Sequence, residues 1–239
     1  MKNQRHIKDK LTIVIPAKNE VNYISGILTD LYCQMNVKGM RVIIADGGST
    51  DGTIELINQS AMLFQDKLAI EIVSGGTVSQ GRNAGLKLVQ TPYVLFIDAD
   101  VRLTDLMQID QTVKLLLRKR LVGAYVDCVG SFLSGFSYAL FNMVNRQMSK
   151  FRPFALGSYF GTRVSDIKQF GGWDEEVVHS EDWILSGNFK PKEFAFSKYP
   201  IEVDDRRFKK SGHLRMMFML LKSAIVGRKY QVKDNGYWD

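Results

Sequence analysis

Asp98-Ala99-Asp100 sets two carboxylates one residue apart, directly after the apolar run Tyr93-Val94-Leu95-Phe96-Ile97. Two acids so close repel one another unless something positive lies between them. A hard divalent cation shared with ligand phosphates is one answer. A turn that caps the following helix is the other. A second acidic pair, Glu181-Asp182, follows His179-Ser180. A carboxylate beside an acceptor hydroxyl can take its proton, an effect worth about 10²–10⁴-fold in rate. Its plainer reading is a helix cap after Ser180. Two more polar clusters, Pro16-Ala17-Lys18-Asn19-Glu20 and Asp46-Gly47-Gly48-Ser49-Thr50-Asp51-Gly52-Thr53, also follow short apolar runs.

Strands and helices must bring these clusters together. Leu11–Ile15, stopped by Pro16, Arg41–Ala45, Leu68–Val73 and Tyr93–Ile97 read as strands, β-branched or aromatic and continuous in apolar character. Between them, residues 20–34, 53–60 and 78–89 carry apolar positions at helical spacing. The order β-α-β-α-β-α-β with right-handed crossovers predicts an α/β fold, a Rossmann-like, mostly parallel sheet flanked by helices. Each strand then delivers its polar cluster at its carboxyl end, where open parallel sheets bind ligands. The later chain predicts a helix over 104–120, a strand over 121–128, a helix over 131–149, a strand over 155–162, a short helix ending at Gly171-Gly172, strand over 194–203, and a helix over 214–226. With no repeat or linker, residues 1–239 are expected to form a single domain. About 11–103 would be the nucleotide half and 104–207 the acceptor half, with 208–239 a terminal helix and tail.

The chain of 239 residues carries a formal net charge of +7. That excess favours anionic partners such as nucleotide phosphates or anionic lipid. The basic residues are dispersed and no nucleic-acid module is present, so no nucleic-acid partner is expected. Cys33 and Cys128 lack metal-ligand spacing and read as reduced thiols. Met1 to Lys10 is polar, without an apolar run of signal-peptide length, and nothing approaches the ~20 apolar residues of a spanning helix. The expected location is cytoplasmic, with a peripheral place at the cytoplasmic membrane face. That last point comes from the apolar residues of 131–148 and 214–226, which lie near Arg215, Lys222, Arg228 and Lys229. The competing reading packs both segments on the sheet, and a second subunit would also suit them.

Taken in order, these motifs resemble the inverting family 2 glycosyltransferases of GT-A fold. Leu11–Glu20 is similar to that family's opening strand and Pro-x-x-Asn-Glu loop, and 46–53 to its Asp-Asp-Gly-Ser-x-Asp-Gly-Thr signature. Gly81-Arg82-Asn83-Ala84-Gly85 resembles its Arg-Asn-x-Gly helix, and Asp98-Ala99-Asp100 its Asp-x-Asp motif. Gly171-Gly172-Trp173-Asp174-Glu175 with Glu181-Asp182 resembles its Gly-Gly-Phe-Asp-Glu and Glu-Asp pair. The resemblance implies a metal-dependent transfer of one sugar from a nucleotide-diphosphate sugar, UDP by default with GDP open, to a glycan or lipid-linked acceptor.

It places Pro16, Ala17, Glu20, Asp46, Arg82, Asp98, Ala99 and Asp100 at the nucleotide. Asp46 would bind the base, Asp98 the ribose or the metal's water shell, and Arg82 the nucleotide or its phosphates. Asp100 would ligate Mn²⁺ or Mg²⁺, and Asp182 would be the general base with Glu181 beside it. Gly47 departs from the signature's second acid, and the Gln-x-x-Arg-Trp motif of processive synthases is missing.

Some assignments stay open. His213 could complete the metal shell and His179 could sit near the acceptor, or both are surface histidines. Arg206 and Arg207 could clamp phosphate or acceptor with forked donors, or pair with Asp204 and Asp205 at the surface. Trp173 is a further candidate for phosphate or acceptor contact. Two other functions compete: a nucleotidyltransferase, against which stands the lack of glycine in 16–20, and a binding or scaffold protein that keeps the fold.

Overall fold

The computed structural model describes residues 7–177, 180–206, 209 and 212. Four strands open the chain: β1 (Leu11–Ala17), β2 (Met40–Asp46), β3 (Leu68–Ser74) and β4 (Tyr93–Ile97). Between them run α1 (Ile24–Cys33), α2 (Thr53–Leu63) and α3 (Val78–Leu88). Then follow β5 (Val101–Leu103), α4 (Gln108–Leu116), β6 (Leu121–Gly123), β7 (Val126–Val129) and α5 (Phe132–Met148). The last elements are β8 (Tyr159–Arg163), α6 (Val164–Gln169), α7 (Glu181–Ser186), β9 (Phe194–Phe196) and β10 (Ile201–Asp204).

One sheet has the order β3-β2-β1-β4-β8-β6-β9, and a second has the order β5-β10-β7. β1 pairs in parallel with β2 and β4, and β2 with β3. In the seven-stranded sheet β8 runs against its neighbours β4 and β6, and in the second sheet β10 runs against β5 and parallel to β7. The α/β class, with a mostly parallel sheet flanked by helices, is therefore the observed one. The sheet's inner strands are largely apolar because both faces are covered: Ile13, Val14 and Ile15 of β1 and Val94 to Ile97 of β4 are inaccessible to solvent. Odd-numbered β1 residues face one core with α1, while Val14 and Phe96 face another with Trp173 and Phe160.

Four sequence expectations are corrected. Pro16 does not stop β1; it lies within the strand opposite Ala45 of β2. Pairing with β4 ends at Val14, so the proline's missing N–H lies beyond that ladder. The strand expected over 121–128 is two strands in different sheets, divided at Ala124-Tyr125. The strand over 194–203 divides likewise into β9 and β10, with the turn before Ile201 carrying the chain from one sheet to the other. The helix over 104–120 shortens to α4, because Thr104 and Asp105 use their polar groups in a turn: Gln108 Oε1 accepts from Thr104 N and Asp105 Oδ1 from Met107 N. The expectations for 208–239, including the helix over 214–226, fall almost wholly outside the described residues.

Candidate active site

The loops after β1 and β2 are fastened to each other by their own polar side chains. Asn19, in the left-handed region at φ 55°, donates its backbone N–H to Ser49 Oγ (2.9 Å) and accepts from Thr50 N at Oδ1 (2.9 Å). Glu20 N donates to Thr53 Oγ1, and Val21 N to Asp51 Oδ2. Asp51 Oδ1 also takes the Thr53 N–H and hydroxyl at the start of α2. Asp46 turns its carboxylate into its own loop, accepting from Gly48 N, Ser49 N and Ser49 Oγ at 2.5–3.0 Å. Gly47 sits where a Cβ would come within 2.6 Å of the Gly76 carbonyl oxygen. The loop after β3 thus leaves no room there for the side chain of the signature's second acid.

Arg82 organises the centre. Its side chain is 1% exposed, with Nη1 on Glu181 Oε1 (2.5 Å) and Nη2 on Asp98 Oδ1 (2.8 Å). The guanidinium also lies over the Trp173 ring, 4.4 Å from its centroid. It is buried, and it bridges the two acidic clusters. Trp173 is likewise a core residue, 2% exposed and edge-on to Phe96 and Phe160. Asn83 holds the Trp173 backbone: its amide donates to the Trp173 carbonyl and accepts from the Trp173 N–H.

The second arginine is Arg206, after β10. It donates both terminal nitrogens to Glu20 (3.0 and 2.9 Å) and one of them to Asp100 Oδ2 (2.7 Å), above the Tyr23 ring. Neither Asp204 nor Asp205 pairs with its side chain: Asp204 takes the Arg206 backbone N–H, and Asp205 binds Ser131 N and Lys209. Burial pushes the Glu20 carboxyl up, opposed by Arg206. Arg207, His179 and His213 lie outside the described residues. Pro16 and Ala17 finish β1, Ala17 and Ala99 being buried beside these acids.

Asp182 stands in the first turn of α7, its Oδ2 accepting from Gly157 N (2.8 Å) and its Oδ1 from Trp183 N (2.7 Å). Burial, and then the charge of Glu181, push its carboxyl up to about 7. Gly157 is needed there, since a Cβ would come within 2.5 Å of Arg82 Nη2. No sequence signal marked Gly157 as part of this site; Asn83 stood in the Arg-Asn-x-Gly motif without an assigned role.

The sequence model described as Glycosyl transferase family 2 matches residues 12–170, more than half of the chain. The chain belongs to that family. Among curated relatives, the succinoglycan biosynthesis protein ExoA of Rhizobium meliloti is 29% identical over 191 residues, covering 71% of this chain and 54% of its own. The poly(ribitol-phosphate) beta-glucosyltransferase of Bacillus spizizenii is 33% identical over 93 residues, 38% of this chain and 15% of that protein. The family 2 chain thus spans about half, or much less, of the length of these relatives. Among solved structures, the mannosyltransferase PcManGT of Pyrobaculum calidifontis, in complex with GDP-Man and Mn²⁺, superposes with a TM-score of 0.65 at 18% identity, covering 89% of this chain and 64% of that one. S. aureus TarS 1–349, in complex with UDP-GlcNAc, does so with a TM-score of 0.62 at 19% identity, covering 82% and 58%. These likenesses establish the shared GT-A fold.

Proposed function

We propose that this family 2 chain carries an inverting glycosyltransferase site, which moves one sugar from a nucleotide-diphosphate donor to an acceptor hydroxyl. One observation carries the reading: a single buried guanidinium, Arg82, holds the acidic end of β4 and the acidic start of α7 on either side of itself. Two acid functions needed by such a transfer, one at the diphosphate and one at the acceptor, are thereby brought to one sheet edge.

Asp182 is the proposed base. A carboxyl near 7 is ionised enough at neutral pH to accept a proton and basic enough to keep it through the attack. The two backbone N–H donors fix the carboxylate's plane. Burial, and then the charge of Glu181, keep Asp182 basic, while Arg82 and the backbone donors hold it back. With the base opposite the leaving group, one displacement inverts the anomeric carbon.

Among the described residues no group of three or more metal-type side chains gathers at one point. The carboxylates of Asp98 and Asp100 fit a cation that takes the rest of its shell from ligand phosphates and water. Mn²⁺ or Mg²⁺ held there would supply charge neutralisation to the leaving diphosphate. Arg206 spans Asp100 and Glu20 and keeps these carboxylates from repelling one another. UDP is the proposed nucleotide and GDP the alternative, since fold neighbours were solved with each. A glycan or polyol-phosphate hydroxyl is the proposed acceptor class, after the relatives' names.

The test is a thermal-shift panel of UDP, GDP, CMP and ADP, each with and without Mn²⁺. A ligand at ~100 times its Kd stabilises the fold by about 2.7 kcal/mol. A shift for one diphosphate that requires Mn²⁺ and vanishes in Asp100→Ala is the expected result. If no nucleotide shifts the transition, the donor assignment fails and a binding or scaffold role takes its place.

A further inference from the structure

α5 has two unlike faces. Toward the protein, Ser134 and Asn145 are buried, and the Asn142 amide brackets Val126 of β7, accepting from its N–H and donating to its carbonyl. Away from it, Phe132 is 91% exposed, and Leu133, Phe136, Leu140, Met143 and Val144 are all exposed too. At ~100° per residue these six fall within an arc of about 120°. Phe151, three residues past the helix end, is 86% exposed as well. An apolar stripe of this length in water marks an interaction surface.

Charge selects what covers it. Between Asp127 and Asp166 the sequence holds no acid, but it holds Arg146, Lys150, Arg152 and Arg163. Arg146 and Lys150 are exposed beside the stripe. A second copy of α5 would bring the same basic groups and, within residues 128–165, no acid to answer them. The chain's own residues 213–233 offer Arg215, Lys222, Arg228, Lys229 and Lys233, again with no acid. An apolar helix flanked by basic side chains is matched by anionic lipid, whose acyl boundary takes the aromatics while the headgroups take the cations.

We propose that α5 docks this protein on an anionic membrane surface, Phe132, Phe136, Leu140 and Met143 entering the headgroup boundary and Arg146 and Lys150 meeting lipid phosphate. The docked helix is coupled to the site by packing. Phe141 meets Phe154 edge-on at 6.1 Å, Phe154 meets Trp183 at 5.1 Å, and Arg152 stacks over Trp183 at 4.1 Å. Trp183 follows Asp182 directly. Resting on the transfer reading above, this implies an acceptor presented from the lipid surface; the docking itself does not depend on that reading.

The experiment is co-sedimentation of the full chain, without nucleotide, on phosphatidylcholine vesicles with and without phosphatidylglycerol. Binding is expected only with phosphatidylglycerol and should weaken with salt. The triple substitution Phe132→Ser, Phe136→Ser, Leu140→Ser should cut the bound fraction by about tenfold or more, and Arg146→Glu with Lys150→Glu should do the same. In Phe136→Trp, indole emission should shift to the blue when vesicles are added. All these residues are exposed, so the variants are expected to keep the native circular dichroism. Three results overturn the proposal: no binding to either vesicle, equal binding to both, or binding unchanged in the triple variant. So does concentration-dependent self-association that the triple variant abolishes while vesicles bind nothing. A vesicle result stands whether or not any nucleotide binds, so its failure is separate from failure of the transferase reading.

Discussion

Arg82 is the residue on which both acidic clusters depend. Replacing it with Lys keeps one charge but cannot reach Glu181 and Asp98 together with a planar fork. At least one buried carboxylate then loses its partner, which costs about 3–5 kcal/mol. Chemical denaturation of Arg82→Lys should show a loss of this size, even though the formal charge is unchanged. Asp182 sets the pH response. Its folded value, about 7, lies above the ordinary carboxyl value near 4, so the folded state holds a proton that the unfolded chain gives up between them. The group's contribution to stability therefore falls as pH rises through that window, while the ionised fraction that can act as base rises. Transfer should climb through about pH 7 and level off above it, as a pH profile of kcat/KM would show. Asp182→Asn should leave nucleotide affinity nearly unchanged and reduce transfer by about 10²–10⁴-fold. An equal loss of nucleotide binding would give Asp182 another role. Arg206→Met removes the cation from Glu20 and Asp100. Mn²⁺ binding without nucleotide, followed by electron paramagnetic resonance, should tighten in that variant.

At the scale of elements, α3 shows how a glycine is read by its surroundings. A Cβ on Gly85 would come within 2.4 Å of Val14 Cγ1, so the helix can lie this close to β1 only with glycine there. Gly135 in α5 meets nothing within 4 Å. Both are helix-interior positions where alanine is intrinsically better by about 0.5–1 kcal/mol. Gly135→Ala should realise that gain. Gly85→Ala should instead destabilise by about 1–3 kcal/mol through overpacking. Thermal unfolding of the two variants should therefore move in opposite directions. The same geometry explains Gly81-Arg82-Asn83-Ala84-Gly85 as one unit: the glycines let the helix approach, Arg82 holds the acids, and Asn83 clamps the Trp173 backbone. The polar loops after β1 and β2 are also a unit, since Asn19, Asp51 and Thr53 each bond across from one loop to the other or cap α2.

Across the whole molecule, the parallel register of β1 with β2 and β4 brings three loop ends to one edge of the sheet. The short second sheet then carries Arg206 to the same edge from a distance of more than a hundred residues, through β10 pairing with β5 and β7. No helix of the described residues is long and apolar enough to cross a membrane. The order of strands and helices through β4, the α/β class and the acidic ends of the strands were legible in the amino-acid pattern, because buried parallel strands are continuous apolar runs and their loops alone carry polar groups. The two-sheet division of 121–128 and 194–203 was not legible: short apolar stretches look alike whichever sheet they join, and pairing across long separations decides. The same limit applied to side chains. The motifs singled out Arg82 and Trp173 and left Arg206 open between a ligand clamp and a surface ion pair, and only the tertiary packing decided that Arg82 and Trp173 are buried and that Arg206 pairs with Glu20 and Asp100. A residue's type fixes the interactions it can make; which partner it meets depends on elements far away in the chain.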